Sequence, residues 1–339
     1  MLVPKSRPAS LILFLLVTTL AGCDEPGLTY GDANSVIAVT DPERWAEISD
    51  SVYGAIERTI QTVRDEKAFT VTYQEPYAQY WENLRRFRQM LLIGTLSDPW
   101  MEEALDKASD DVDVDGPGLY DIGGVWSREQ TVRLIVLPDD GSLGGLPSLL
   151  DEVSETLDQQ FRQYARSRMY FSGVDQALAD TLAAEAGFRV VVPDVYRWMT
   201  EDSVFVFRND QPDPSELIRQ VAVTWRSPAS GELDPEEILQ WRQSIANTYY
   251  TQEQEVDEDA ATVQPHTLDG RQGLRLQAQW RNPPDLGWPA GGPLMTYTVT
   301  CDEQDRTYLI DAWLYAPGRE KYEYIIQLET IVDSFSCTE

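Results

Sequence analysis

Apolar residues recur along this chain in steps of two and of three to four, and the order of those rhythms lays out its elements. Val36 to Thr40 is a short apolar strand, and Thr40-Asp41-Pro42-Glu43 then offers a capping box with proline in the first turn. Trp45, Ile48, Val52, Ile56, Ile60 and Val63 follow at helical spacing, which predicts one long amphipathic helix. Phe69 to Tyr73 alternates as a strand, Met90 to Leu96 is an apolar run, and Asp98-Pro99 opens a helix to about Lys107. After an acidic loop, Val132 to Leu137 reads as a buried strand ended by Pro138. The order β-α-β-β-α-β over 34–140 predicts a ferredoxin-like unit.

Helical spacing returns in Leu143, Leu146, Leu150, Val153, Leu157, Phe161 and Tyr164, with Ser142 as the expected N-cap, and again from Ser172 to Ala186 before Gly187. The stretch 141–187 is therefore expected to be a helical connector. Beyond it, Phe188 to Val192, Ser203 to Phe207 and Val221-Val223-Trp225 have strand character. Asp234-Pro235 starts a helix with the stripe Ile238, Trp241, Ile245 and Tyr249. Leu274, Leu276, Ala278 and Trp280 alternate against polar neighbours, Leu294 to Cys301 and Arg306 to Tyr315 follow, and a final helix runs from Gly318 to Phe335. Antiparallel strands backed by helices make 188–339 an α+β sandwich whose order resembles the PsbP-like fold. The expected fold class is α+β, with two α/β units built on largely antiparallel sheets.

The first residues change the picture from fold to address. Lys5 and Arg7 precede an apolar stretch from Leu11 to Leu20, and Leu20-Ala21-Gly22-Cys23 closes it. This is the layout of a cleaved export signal over 1–22, and its ending resembles the lipobox of bacterial lipoproteins, in which the cysteine thiol takes a diacylglyceryl group. As a helix, Leu11 to Ala21 would span about 17 Å, against a hydrocarbon core of about 30 Å, so a transmembrane segment is a poor reading. The expectation is a lipid on Cys23, a tether over 23–33 low in apolar residues, and a body outside the cytoplasm, in the periplasm or at the cell surface. The choice of membrane stays open.

Charge then narrows the partners. The formal net charge is −30. A surface of that sign repels phosphate backbones and anionic headgroups, which argues against nucleic-acid binding and polybasic membrane docking. Lys5, Lys67, Lys107 and Lys321 are the only lysines. Scarce lysine and abundant acid fit a protein working in concentrated salt, and equally fit GC-rich codon usage. With Cys23 lipidated, Cys301 and Cys337 remain, and two readings stand: a disulfide on the inner face of the last sheet, or two free buried thiols.

Several segments carry a family resemblance: Gln74-Glu75-Pro76, Arg88-Gln89-Met90, Val190-Val191-Val192-Pro193, Gly291-Gly292-Pro293, and Leu314-Tyr315-Ala316-Pro317-Gly318 ahead of Lys321 and Glu329. Together with the lipobox, they resemble a family of bacterial lipoproteins known as domain of unknown function 4837. The resemblance implies an envelope lipoprotein and assigns no catalytic residue.

The chemistry-bearing motifs are few. His266 is the only histidine, so a histidine-based metal cluster is excluded and a catalytic base would have to be His266 itself. The nearest approach to a nucleophile elbow, Asp140-Gly141-Ser142-Leu143-Gly144, has aspartate at the first glycine position. Gly116-Pro117-Gly118 lacks the third glycine of a dinucleotide loop. Asp111, Asp113 and Asp115 before Gly116 match the first half of a calcium loop, but Ile122 stands where the bidentate glutamate belongs, so a solvated acidic loop is the competing reading. Trp280 and Trp288 bracket a segment rich in proline and glycine that reads as a recognition loop or as two core tryptophans. No cofactor is expected. The function expected is a non-catalytic binding or assembly module presenting a groove between its two units to an envelope protein or glycan. The alternative is an envelope hydrolase using carboxylates on a glycan or peptidoglycan.

Overall fold

The computed structural model describes residues 27–338 except 110, 111, 230, 232, 287 and 288. The export signal, Cys23, Asp111 and Trp288 lie outside the described residues.

The first unit comprises β1 (Ser35–Val39), α1 (Pro42–Ile56), the short hairpin β2 (Thr59–Ile60) and β3 (Glu66–Lys67), β4 (Thr70–Gln74), α2 (Trp81–Leu84), β5 (Gln89–Gly94), α3 (Pro99–Lys107), β6 (Gly118–Gly123), β7 (Thr131–Val136) and α4 (Leu146–Met169). Its sheet has the order β4-β1-β5-β7-β6. β4, β1, β5 and β7 run parallel, and only β6 is antiparallel. The ferredoxin-like expectation for this unit is therefore corrected to a mostly parallel sheet covered on both faces. The physical reason is visible in β5, buried at all six positions. An unbroken apolar strand needs a layer on each side, which helical crossovers between parallel strands supply. α1 and α4 cover one face, and α3 with the 75–88 segment covers the other.

Two details of this unit depart from the sequence rhythm. α1 is capped one residue later than the Thr40 to Glu43 box predicts, by the Asp41 side chain accepting from the Arg44 N–H at 2.9 Å, and it stops at Ile56. Ile60 and Val63 belong instead to the β2–β3 hairpin, whose tip leaves Val63 exposed. Ser142 does not cap α4: Asp140 accepts its N–H at 3.0 Å in a separate turn, and the helix starts at Leu146 behind Gly145, with proline in its first turn.

The second unit continues with α5 (Gln176–Glu185), β8 (Phe188–Arg189), β9 (Arg197–Glu201), β10 (Val204–Asn209), β11 (Ile218–Arg226), α6 (Pro235–Tyr249), β12 (Glu255–Leu268), β13 (Arg271–Arg281), β14 (Gly291–Cys301), β15 (Arg306–Tyr315), α7 (Tyr322–Asp333) and β16 (Ser336–Cys337). Seven strands form one antiparallel sheet in the order β12-β13-β14-β15-β11-β10-β9. α5 and α7 cover one face, and α6 the other. The α+β class and the antiparallel sandwich hold. α6 opens on a complete capping box between Asp234 and Glu237, as its sequence announces.

α7 joins the units. Its Ile325, Leu328, Ile331 and Val332 enter the core above the seven-stranded sheet, while Tyr322 and Ile326 enter the core beneath α1 and α4. Within 141–187, α4 lies in the first core and α5 in the second. A polar seam runs beside the contact. Arg162 on α4 donates to Asp158 at 2.9 Å and to Glu329 on α7 at 2.8 Å. Arg275 on β13 reaches the same Glu329 at 2.6 Å, and Arg58 and the Tyr322 hydroxyl both donate to Asp158. Burial and the Asp158 carboxylate push the Tyr322 hydroxyl well above its ordinary pKa, so it stays a donor.

Candidate functional site

At one end of the second sheet, β13 finishes, β14 starts and β15 finishes side by side. Gly291 and Gly292 make this possible. A Cβ on Gly292 would lie 1.8 Å from the Leu314 carbonyl oxygen, inside any real contact. Trp280 on β13 stands opposite Gly292 in the register, and its indole N–H donates to Leu314 of β15 at 3.1 Å. The indole reaches across β14 because residue 292 has no side chain. Trp280 is consequently only 2% exposed and packs edge-on to Trp313 with centroids 5.2 Å apart. Of the two readings of this segment, the recognition one fails for Trp280 and the core one holds: it occupies an inward position of β13 and its polar atom is satisfied inside.

A cleft of about 910 Å³ opens beside this strand end, between the units. Its floor is Trp280, Ala290, Gly291, Tyr315 and Pro317, and the β2–β3 hairpin with Val63 and Arg64 forms the facing wall. Two contacts fix the wall. Gln279 donates to the Thr62 carbonyl at 2.7 Å, and Glu66 accepts from the Lys321 backbone N–H at 2.6 Å and from the Lys321 ammonium. Two arginines at the cleft are ion-paired: Arg319 meets Glu216 at 2.5 Å and Arg281 meets Glu255 at 3.7 Å. A second pocket of about 520 Å³ on the α6 side shares Trp280, Ala290 and Tyr315 with the cleft. Of the loop between β13 and β14, Ala290 lines both and Asn282 lines the second pocket.

Behind the second pocket lies a buried polar network. Asp311 on β15 accepts from Arg242 Nε at 3.2 and 3.3 Å, from the Tyr250 hydroxyl at 2.7 Å and from Thr296 at 2.7 Å. Arg242 also donates to Gln254, and both charged side chains have no exposed surface. Burial and the Asp311 charge hold the Tyr250 hydroxyl well above its ordinary pKa. Arg208, stacked on Trp313, links Gln220 at 3.1 Å to Gln252 at 2.8 Å on the pocket wall.

The other residues singled out by sequence lie elsewhere. Val112 and Val114 pack on the core beside α3 while Asp113 and Asp115 point outward, so the Asp-x-Asp pattern here is an extended strip with one wet edge. Tyr120 donates to Asp115 at 3.3 Å. Among the described residues no group of three or more His, Cys, Asp or Glu is arranged to hold a metal. His266 lies on β12, edge-on to Tyr297 with centroids 5.0 Å apart. Cys301, fully buried on β14, is bonded to Cys337 on β16, with Cα atoms 6.1 Å apart. Among the described residues no helix is long and apolar enough to cross a membrane.

The cleft includes elements the sequence reading missed. Ile60 and Val63 continue the apolar step of α1, which hides the hairpin. Residues from three segments that carry the family resemblance, Gly291, then Tyr315, Pro317 and Gly318, and Lys321, converge on the cleft.

No curated protein sequence matches the chain. Among solved structures, the Ran-binding protein Mog1p of Saccharomyces cerevisiae is 14% identical, with 45% of this chain and 91% of that one covered and a TM-score of 0.29. LpqN of Mycobacterium tuberculosis, described as involved in cell envelope biogenesis, is 17% identical over 45% of this chain and 83% of that one, with a TM-score of 0.29. The cyanobacterial PsbP protein of Synechocystis is 11% identical over 44% and 86%, with a TM-score of 0.28. The Gln74-Glu75-Pro76 and Arg88-Gln89-Met90 segments fall outside the family match, which begins at α5. Residues 175–334 match the family model of a domain of unknown function, DUF4837.

Proposed function

We propose that this protein is a lipid-anchored binding or assembly module of the cell envelope, and that the cleft between its units is its binding surface. The cleft carries the reading: about 910 Å³, floored by aromatic, proline and small residues, with Arg281, Arg319 and Lys321 at its rim each ion-paired. Such a surface offers apolar area and hydrogen-bonding edges without a large desolvation cost, as ligand grooves do. Among its described lining residues there is no Ser, Thr, Cys or His to act as nucleophile or imidazole base, which favours binding over acyl-transfer chemistry.

The address rests on Lys5, Arg7, the apolar run and Leu20-Ala21-Gly22-Cys23. The described part of the stretch expected to be a tether, from Gly27 on, contacts the first unit. Arg128 donates its N–H to the Gly27 carbonyl at 2.9 Å, and Leu28 and Tyr30 bridge to Arg128 and Phe87. A lipid on Cys23 would hold the first unit within about 14 Å of the bilayer.

Two measurements test this. Intact mass of the protein from membranes of its native host should show an acylated N-terminal Cys23, and an unmodified start sinks the address. A photo-crosslinking residue at Val63 or Arg281 in living cells should capture a specific envelope protein or glycan that the same residue at Phe171 does not. Identical products from all three positions would remove the cleft as the binding surface.

A further inference from the structure

β9 is an edge of the seven-stranded sheet, with no strand among the described residues paired to its outer side, and all five of its residues are exposed. Edge strands in soluble proteins are usually blunted by lysine, proline or a covering segment. This one reads Arg197-Trp198-Met199-Thr200-Glu201, with Trp198 44% and Met199 52% exposed. We propose that β9 pairs antiparallel with β9 of a second copy of this chain, across a two-fold axis at Met199, fusing two seven-stranded sheets into one.

The register follows from the hairpin. Asp202 and Ser203, with φ of 47° and 66°, form a two-residue turn between β9 and β10, in which Glu201 pairs with Val204. In such a turn the closing pair is hydrogen-bonded, and bonding alternates along the ladder. Glu201, Met199 and Arg197 therefore bond inward to β10, leaving the N–H and C=O groups of Trp198 and Thr200 directed outward. A partner strand centred on Met199 sets Trp198 against the outward groups of Thr200, twice over. The same register sets Arg197 against Glu201 of the second copy, also twice, at the close non-hydrogen-bonded positions where side-chain pairs interact most. Strand chemistry, backbone phase and charge thus agree on one alignment, and the sequence of β9 is complementary to its own reverse.

The flanks suit this partner. The segments containing Val174 and Pro193 are bridged, and beside them Phe171, Val174 and Val195 are 93%, 41% and 46% exposed. A five-residue ladder is small against the roughly 1,200–2,000 Å² of stable complexes, so the association is weak and reversible.

In-cell cysteine crosslinking of the full chain reads the register directly. Met199→Cys should give a reducible dimer that the wild type does not, while Trp198→Cys, displaced by two residues from its own copy, should not. In sedimentation of the purified full chain, Arg197→Glu or Glu201→Arg should each weaken association roughly tenfold, by setting like charges opposite one another. The double exchange should return it to within about threefold of wild type. A chain monomeric at all concentrations, a stronger crosslink at Trp198→Cys than at Met199→Cys, or single reversals that leave association unchanged would each overturn the proposal.

Discussion

Replacing Asp311 with asparagine preserves the shape of the side chain and removes its charge, at a position with no exposed surface. The carboxylate accepts from Arg242, Tyr250 and Thr296, so its loss leaves three donors competing for one amide oxygen. Arg242 cannot shed its proton, and its guanidinium is equally buried. An unpaired charge in the interior is far costlier than an absent pair, and breaking one side of such a bridge costs about 3–5 kcal/mol. Exchanging both partners for apolar residues of similar volume, Asp311→Leu with Arg242→Met, removes the charge with its counter-charge and should cost much less. Equilibrium urea denaturation followed by tryptophan fluorescence reports this region, because Trp313 packs against Tyr250 with centroids 6.1 Å apart. If Asp311→Asn stayed within about 1 kcal/mol of wild type, or the double replacement were the worse of the two, the pair would not be the electrostatic keystone described.

Gly292→Ala should destabilise the protein by about 3 kcal/mol in the same assay, since its Cβ would meet the Leu314 carbonyl at 1.8 Å and displace the Trp280 indole. Cys337→Ser should cost roughly 4 kcal/mol, from a closed loop with a sequence separation of 36, and the variant should no longer respond to reductant in thermal melts. Asp210 is pushed up by burial, but hydrogen bonds from Arg208 at 3.0 Å and from Arg197 outweigh this and hold its carboxyl below the usual range. A lowered folded-state pKa supplies stability above the unfolded value of about 3.9 and loses it as pH falls through the folded one. Asp210→Asn should therefore cost about 1–2 kcal/mol at pH 7, with the gap closing in denaturation curves taken below about pH 4.

Legibility in the sequence followed burial. α6 and α7 show their apolar stripes and, for α6, its cap, β13 and the second half of β14 alternate, and β15 is a run of mostly apolar residues; all lie where expected. The two outer strands of the same sheet, β12 and β9, were invisible. β12 carries Glu255, Asp257, Glu258 and Asp259 and is mostly solvated, and β9 is exposed throughout, so neither has a buried face to write a period into the sequence. The parallel sheet failed for a related reason. Apolar runs such as Met90 to Ile93 show that a strand is covered on both faces and do not show its direction, which the intervening crossovers decide. The cleft needed both gaps filled, because its wall is a hairpin disguised as the end of α1 and its floor depends on a glycine whose meaning is its neighbour across the sheet.

The position of the cleft follows from how the units are joined. α7 is shared between two cores, and the ion-paired seam of Arg162, Glu329 and Arg275 ties α4, α7 and β13 together along that contact. Charges bonded on two sides and apolar residues buried on two sides leave little freedom for the units to slide there. Ahead of α7, residues 317–320 are exposed, and the hairpin reaches across on two hydrogen-bonded contacts, at Gln279 and Lys321. Those contacts bridge first unit to second at the rim of the cleft, so its lining is drawn from both units: Val63, Arg64 and Glu66 from the hairpin, and Ala290, Gly291 and Pro317 from the second unit. Glu66, which accepts from both the Lys321 backbone N–H and its ammonium, ties the hairpin of the first unit to the start of α7 at the rim of the groove.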